Sequence, residues 1–244
     1  MGKKSTYRGE NWIIYTPADM GMGPPENEER YTSFEVTFIQ STGQIWVNEC
    51  DWIGPGPCGG RGVRWFEDGS WKGSNSPVAQ GCATAVVEDS RGNIWIGMDS
   101  GLWRYTPSIG EWKQYPTPDS PEEWHRFGFV DQLVIAPNGD PWASYALCGG
   151  ASCFGPIARY HIHNENWVLI GDIDDSTMNH FVFDAEELPW LFIESGIYRI
   201  SNDIPEFVAP LYVWGFTTDS NGTIWLVAND GLQNSLWKQQ EAIP

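Results

Sequence analysis

The chain has 244 residues, 15 of them Trp, and carries 14 basic against 32 acidic residues, a net charge of −18. That surplus repels phosphate backbones and anionic lipid, so nucleic acid and an acidic membrane face are excluded as natural partners. No apolar run reaches the ~18 residues of a spanning helix, which argues against membrane insertion, and the length allows a sizeable core without metal or disulfide staples.

Read from the start, Met1-Gly2-Lys3-Lys4 followed by Ser5-Thr6-Tyr7-Arg8 shows no signal peptide. The chain is therefore expected either to be intracellular or to have lost a leader. Next comes "GENWIIYTP" around Trp12, an anchor without neighbouring strands of its own. A motif then recurs: "STGQIWV" at Trp46, "DSRGNIWIG" at Trp95, "PNGDPWA" at Trp142, "AEELPWL" at Trp190 and "DSNGTIWLV" at Trp225. The anchors lie 49, 47, 48 and 35 residues apart, a spacing typical of propeller blades. Each follows an apolar stretch (Phe34 to Ile39, Ala85 to Val87, Leu133 to Ile135, Phe181 to Phe183, Val213 to Phe216), which predicts strand, tight turn, strand.

A third strand is predicted at Gly62-Val63-Arg64-Trp65, Gly101 to Tyr105, Ile157 to Tyr160, Gly196 to Ile200 and Leu236 to Lys238. Trp71, Trp112, Trp167 and Phe207, seven or eight residues beyond the basic position, mark the fourth strand in four copies. The fifth copy ends before such an aromatic, and "GENWIIYTP" resembles "GEWKQYPTP" around Trp112. The expected fold is a single all-β domain over 1–244, a five-bladed β-propeller with four antiparallel strands per blade. Its last blade, formed by 212–240, is closed by the N-terminal strand near 11–15.

The segment "VVEDSRGNIWIGMDSGLWRYTPSIGEWKQY", Val86 to Tyr115, resembles the two-component regulator propeller repeat almost position for position; the other copies keep only its Gly, Trp, Gly and aromatic landmarks. That resemblance implies the blade and, in most proteins that carry it, an extracellular or periplasmic ligand-sensing propeller, often joined to a membrane-bound kinase. Five-bladed closure is similar to tachylectin-like sugar-binding propellers and to five-bladed glycosidases.

Five Cys are present, and proximity suggests local bridges Cys50–Cys58 and Cys148–Cys153 in an oxidising compartment, extracellular or periplasmic. Cys82 is then a buried thiol or an alternative partner for Cys58. Zinc is not indicated, since no C-x-x-C or fitting His accompanies these cysteines. His161 and His163, spaced i and i+2, lack a third metal ligand nearby. Asp172, Asp174 and Asp175 could hold calcium but lack the Gly and Glu of a calcium loop. No cofactor is expected, calcium being the alternative.

The repeat assigns most Trp to packing and leaves Trp52, Trp124 and Trp214 unexplained. Trp52 with Asp51, and Trp124 with Glu123 and His125, fall on long second-to-third-strand and blade-linking loops; Trp214 lies on an inner strand. Variable loops on a fixed scaffold are where ligands bind, and a flat Trp edged by polar groups suits a sugar ring. The alternative is that each Trp pins its own loop. The expected function is thus non-enzymatic binding of a carbohydrate or similar small polar ligand. The alternatives are a propeller that binds proteins or copies of itself, then a glycoside hydrolase or lyase using Glu35, Asp131 and Asp184 as inner-strand carboxylates.

Overall fold

A computed structural model describes residues 3–7, 10–22, 31–52, 59–115, 128–149, 152–154, 157–170, 180–193, 195–229 and 231–239. They divide into two compact units, Met1–Pro116 and Thr117–Pro244.

The first unit begins with a hairpin of β1 (Lys3–Tyr7) and β2 (Glu10–Ile14). The first blade-like sheet runs β3 (Tyr31–Ile39), β4 (Gln44–Trp52), β5 (Gly59–Glu67) and β6 (Ser70–Lys72) in spatial order, every pair antiparallel. The second repeats the meander with β7 (Ala83–Glu88), β8 (Ile94–Met98), β9 (Gly101–Thr106) and β10 (Glu111–Tyr115).

In the second unit the third sheet contains β11 (Gly128–Ile135), β12 (Pro141–Gly149), β13 (Ser152–Phe154), β14 (Ile157–His161) and β15 (Asn166–Leu169), where β13 is an extra strand paired to the end of β12. The fourth has β16 (His180–Phe183), β17 (Pro189–Ile193), β18 (Gly196–Ser201) and β19 (Ile204–Ala209). The fifth has three strands, β20 (Tyr212–Thr218), β21 (Ile224–Asn229) and β22 (Asn234–Lys238). Within its own unit the N-terminal segment pairs as the β1–β2 hairpin, a partner the sequence did not suggest.

The turn between the first two strands of each sheet is set locally. Asp89 Oδ1 accepts the backbone N–H of Arg91 and of Asn93, each at 2.9 Å, folding the chain back as an Asx turn. Asp184 and Asp219 repeat this in the fourth and fifth sheets. Three residues before each blade Trp the backbone takes a left-handed φ: Gly43 at 70°, Gly92 at 76°, Gly139 at 92° and Gly222 at 76°. In the fourth sheet a non-glycine, Glu187, stands there with φ 63°.

The second strand of the blades is buried on both faces, as in β8 and β17, and neighbouring sheets stack through these apolar faces. Trp46 and Val63 of the first sheet pack on Ala83, Val86, Ile94, Ile96 and Met98 of the second. Trp142 of the third packs with Leu191 and Ile193 of the fourth. Phe192 and Ile197 of the fourth pack with Ile224, Leu226 and Ala228 of the fifth. The blade Trp is fixed from across the sheet as well. Register places Arg104 opposite Trp95, Arg159 opposite Trp142 and Lys238 opposite Trp225, each cation 5.1–5.7 Å from the ring centroid.

The first sheet departs from this pattern. Trp65, not Arg64, lies opposite Trp46, and the two rings stack at 4.7 Å. Arg64 points to the other face, 4% exposed, where it donates to the carbonyls of Arg61, Val63, Ala79 and Gly21. The position expected to hold a basic residue is therefore one residue later than the sequence alignment placed it. On that same face Tyr15, Met20 and Met22 pack over Ile45, Val47, Phe66 and Trp71.

The disulfide also differs from expectation. Cys50 bonds to Cys82, not to Cys58, with a Cα–Cα distance of 4.3 Å. The reason is topological: β4 ends beside the segment that leads into β7, where Arg61 and Gly81 form a parallel bridge and Gly62 N donates to Gly81 O at 3.0 Å. Cys58 lies outside the described residues, and Cys148 and Cys153 face each other in the β12–β13 register.

Candidate functional site

The innermost strand of three sheets is interrupted at an equivalent place. Register slips by one residue around Thr84 in β7, Asp131 in β11 and Trp214 in β20. Each lies 11 residues before its blade Trp. Glu35 holds the same position in β3, where pairing is regular, opposite Asn48. A bulge leaves one residue unpaired and re-aims its side chain, a device common beside binding sites. Glu35, Asp131 and Trp214, singled out for different reasons, thus share one repeat position.

In β20 the bulge presents an aromatic. Trp214 is 64% exposed and Tyr212 44% exposed, and their rings meet edge to face at 4.7 Å. Tyr212 lies opposite Asn229, whose Nδ2 donates to Asn234 Oδ1 at 2.8 Å while its Oδ1 accepts from Gly231 N at 2.7 Å. The start of β20 and the β21–β22 loop share one end of the sheet. That end therefore combines an exposed aromatic pair with amides, a stacking surface edged by hydrogen-bonding groups.

The other expected site residues separate. Asp51 and Trp52 form the end of β4, paired to Thr32 and Tyr31; their side chains, and Glu123, Trp124 and His125 altogether, lie outside the described residues. Asp184 is not an inner-strand carboxylate. It closes the β16–β17 turn, 8% exposed, with Oδ2 taking Trp190 Nε1 at 2.7 Å and Gln239 Nε2 at 3.2 Å, so no lone pair is left aimed at a substrate. His161 Nδ1 lies 3.0 Å from Asp140 Oδ2 and ends β14, whereas His163 falls in the following turn, so the two do not share a strand face. Asp172, Asp174 and Asp175 lie outside the described residues. Among the described residues no group of three or more His, Cys, Asp or Glu could hold a metal ion, and no helix is long and apolar enough to cross a membrane.

Two ionisable features escaped the sequence. His180 on β16 contacts Gln132 on β11 through Nδ1, and burial lowers its pKa, keeping the imidazole neutral. In the first sheet Glu49 is fully buried and binds Arg61 through its side chain and its backbone N–H. Neither was legible, because each partnership joins segments whose proximity only the fold creates.

Residues 78–100 match the model of the two-component regulator propeller. No curated protein matches the sequence. Solved structures do, at low identity. One is the extracellular domain of a hybrid two-component system from B. thetaiotaomicron, 16% identical over 82% of this chain and 26% of that one, with a TM-score of 0.57. A second is a gluconolactonase from Xanthomonas campestris, 12% identical over 87% and 77%, TM-score 0.56. A third is the calcium-binding protein regucalcin from Agrobacterium tumefaciens, 15% identical over 79% and 66%, TM-score 0.53. The fold is a β-propeller. Its five antiparallel sheets are the blades, and the chain spans about a quarter of the extracellular domains from B. thetaiotaomicron that it matches. Proteins of this fold include the extracellular domain of a two-component system, a gluconolactonase and a calcium-binding protein, so fold alone does not assign an activity.

Proposed function

We propose that this propeller is a non-enzymatic ligand-binding module that takes a carbohydrate or similar polar ligand at the loop end of its blades, in an extracellular or periplasmic compartment. The observation that carries this is the Tyr212–Trp214 pair, exposed at a bulge and flanked by Asn229 and Asn234. An exposed Trp in a stable blade loses favourable burial, and a sugar's apolar ring face with its polar rim restores it. Trp52 with Asp51, and Trp124 with Glu123 and His125, are further contacts under this proposal, each in its own loop. The compartment rests on the Cys50–Cys82 disulfide. A glycan array with wild type and Trp214→Ala tests the binding.

The same proposal includes a ring over 1–244 closed by the N-terminal strand. The fifth blade, which has three strands among the described residues, supports it. So does the first blade. Ile45 and Val47 are counterparts of Ile94 and Ile96, the residues by which the second blade receives the first, and Met20 and Met22 cover them. The inner part of that face, Phe34, Val36 and Phe38, is 41%, 69% and 59% exposed, a row suited to a preceding blade. Removing residues 1–14 tests closure: a sharp loss of thermal stability is expected, and an unchanged melt would argue against it.

Self-association is the second reading, favoured by Leu236 and Trp237 on the last strand, 68% and 40% exposed. Light scattering separates it, since it requires oligomers where the first needs only monomers.

A further inference from the structure

Asn48 lies on β4 just 2% exposed, opposite Glu35 on β3. Its Nδ2 donates to the carbonyl of Ala83 at 3.1 Å and to Glu35 Oε2 at 3.4 Å. These two acceptors fix which way the amide is turned, because the reverse orientation would set oxygen against oxygen at Ala83. Asn48 Oδ1 is then left buried with no hydrogen-bond partner among the described residues. A buried acceptor without a donor is destabilising, by roughly 1–3 kcal/mol in general, and such atoms mark places where something else binds. Beside it stands the exposed carboxylate of Glu35. The two groups are acceptors only, so what they lack is a pair of donors.

The geometry points to a second ligand contact at Glu35–Asn48, reading hydroxyl groups of a neutral saccharide. A carboxylate and an amide oxygen side by side receive two neighbouring O–H donors, one charge-assisted and one not. A neutral hydroxyl is favoured over a cation because the Glu35 carboxylate is exposed, where an ion pair contributes little, and the buried Asn48 oxygen offers a cation only one neutral dipole for the hydration it would lose. Glu35 occupies the repeat position, 11 residues before the blade Trp, at which Trp214 is exposed in the fifth blade. This contact goes beyond the Trp214 site and stands on separate observations in the first unit.

The test is NMR of the Asn48 side-chain amide in the full chain, titrated separately with glucose, galactose, N-acetylglucosamine, putrescine and calcium. A saturable shift with at least one sugar is expected. Glu35→Ala, at an exposed position, should keep the wild-type melt and weaken that response about tenfold or more, the loss of one charge-assisted hydrogen bond. Trp214→Ala should leave it in place. No response to any sugar, a response only to putrescine or calcium, or a sugar response that survives Glu35→Ala would overturn the inference. Glycan binding lost in Trp214→Ala with a silent Asn48 would defeat this contact and leave the Trp214 site standing; the converse would do the reverse.

Discussion

The indole N–H of Trp95 donates to Asp89 Oδ2 at 3.0 Å, six residues back along the chain, while Asp89 Oδ1 holds the turn between them. Trp190 with Asp184, and Trp225 with Asp219, repeat the bond at 2.7 and 3.1 Å. One carboxylate thus ties the hairpin turn to the core of its blade. Asp89→Ala should destabilise the protein by about 1–3 kcal/mol, because it leaves the Trp95 N–H buried without an acceptor. Chemical denaturation measures this; a change below about 0.5 kcal/mol would mean that the tie contributes little.

Acid should weaken these ties. Burial alone would raise the Asp89 pKa, but hydrogen bonds from Trp95, Asn93 and the backbone outweigh it and leave the pKa below the ordinary carboxylate value. The bond from Trp225, then backbone hydrogen bonds, lowers that of Asp219. A depressed carboxylate contributes stability that is present above the unfolded value and lost as pH falls through the folded one. His180, depressed by burial, acts in the same sense from its own unfolded value downward. Burial raises the Asp99 pKa and works in the opposite sense. Thermal melts should therefore drop as pH falls from about 7 to 5, and His180→Gln should flatten that part of the curve. A melt independent of pH there would contradict the buried, neutral His180.

Cys82→Ser should release Cys50 and lower stability by about 3–4 kcal/mol, the chain-entropy value for a bridge with this 32-residue separation. Mass spectrometry after peptide digestion should find Cys50 linked to Cys82 in the wild type. A Cys50–Cys58 peptide would contradict the placement of β4 beside the segment leading into β7.

Glu187→Gly should be neutral to stabilising, by up to about 1 kcal/mol. The left-handed φ of 63° disfavours Glu and suits the Gly found at that position in the other four blades. Calorimetry decides it, and a clear loss of stability would show that the Glu187 side chain contributes something beyond the turn.

The blades were legible because their signals are local: the Gly three residues before four of the five blade Trp, the Asp at three of the turns and the apolar alternation can all be read without the fold. Arg64 misled the alignment because the first blade sets Trp65 at the basic position, a one-residue slip that reverses which face each side chain takes. The bulges at Thr84, Asp131 and Trp214 were invisible for a related reason. An extra residue in one strand shows only against its partner's register. Of the candidate site, Trp214 stood out as a Trp that the repeat did not use, whereas Asp184 looked like an inner-strand carboxylate until its four donors showed it to be a turn residue.

The most direct test of ligand binding at the loop end is a glycan array probed with wild type and Trp214→Ala. Removal of a side chain 64% exposed should leave the melting temperature within a few degrees, so any lost binding reports the site itself. The account predicts that wild type binds at least one glycan and that Trp214→Ala weakens this by tenfold or more, about 1.4 kcal/mol. Wild type that binds no glycan, or binding that Trp214→Ala leaves intact, would contradict it.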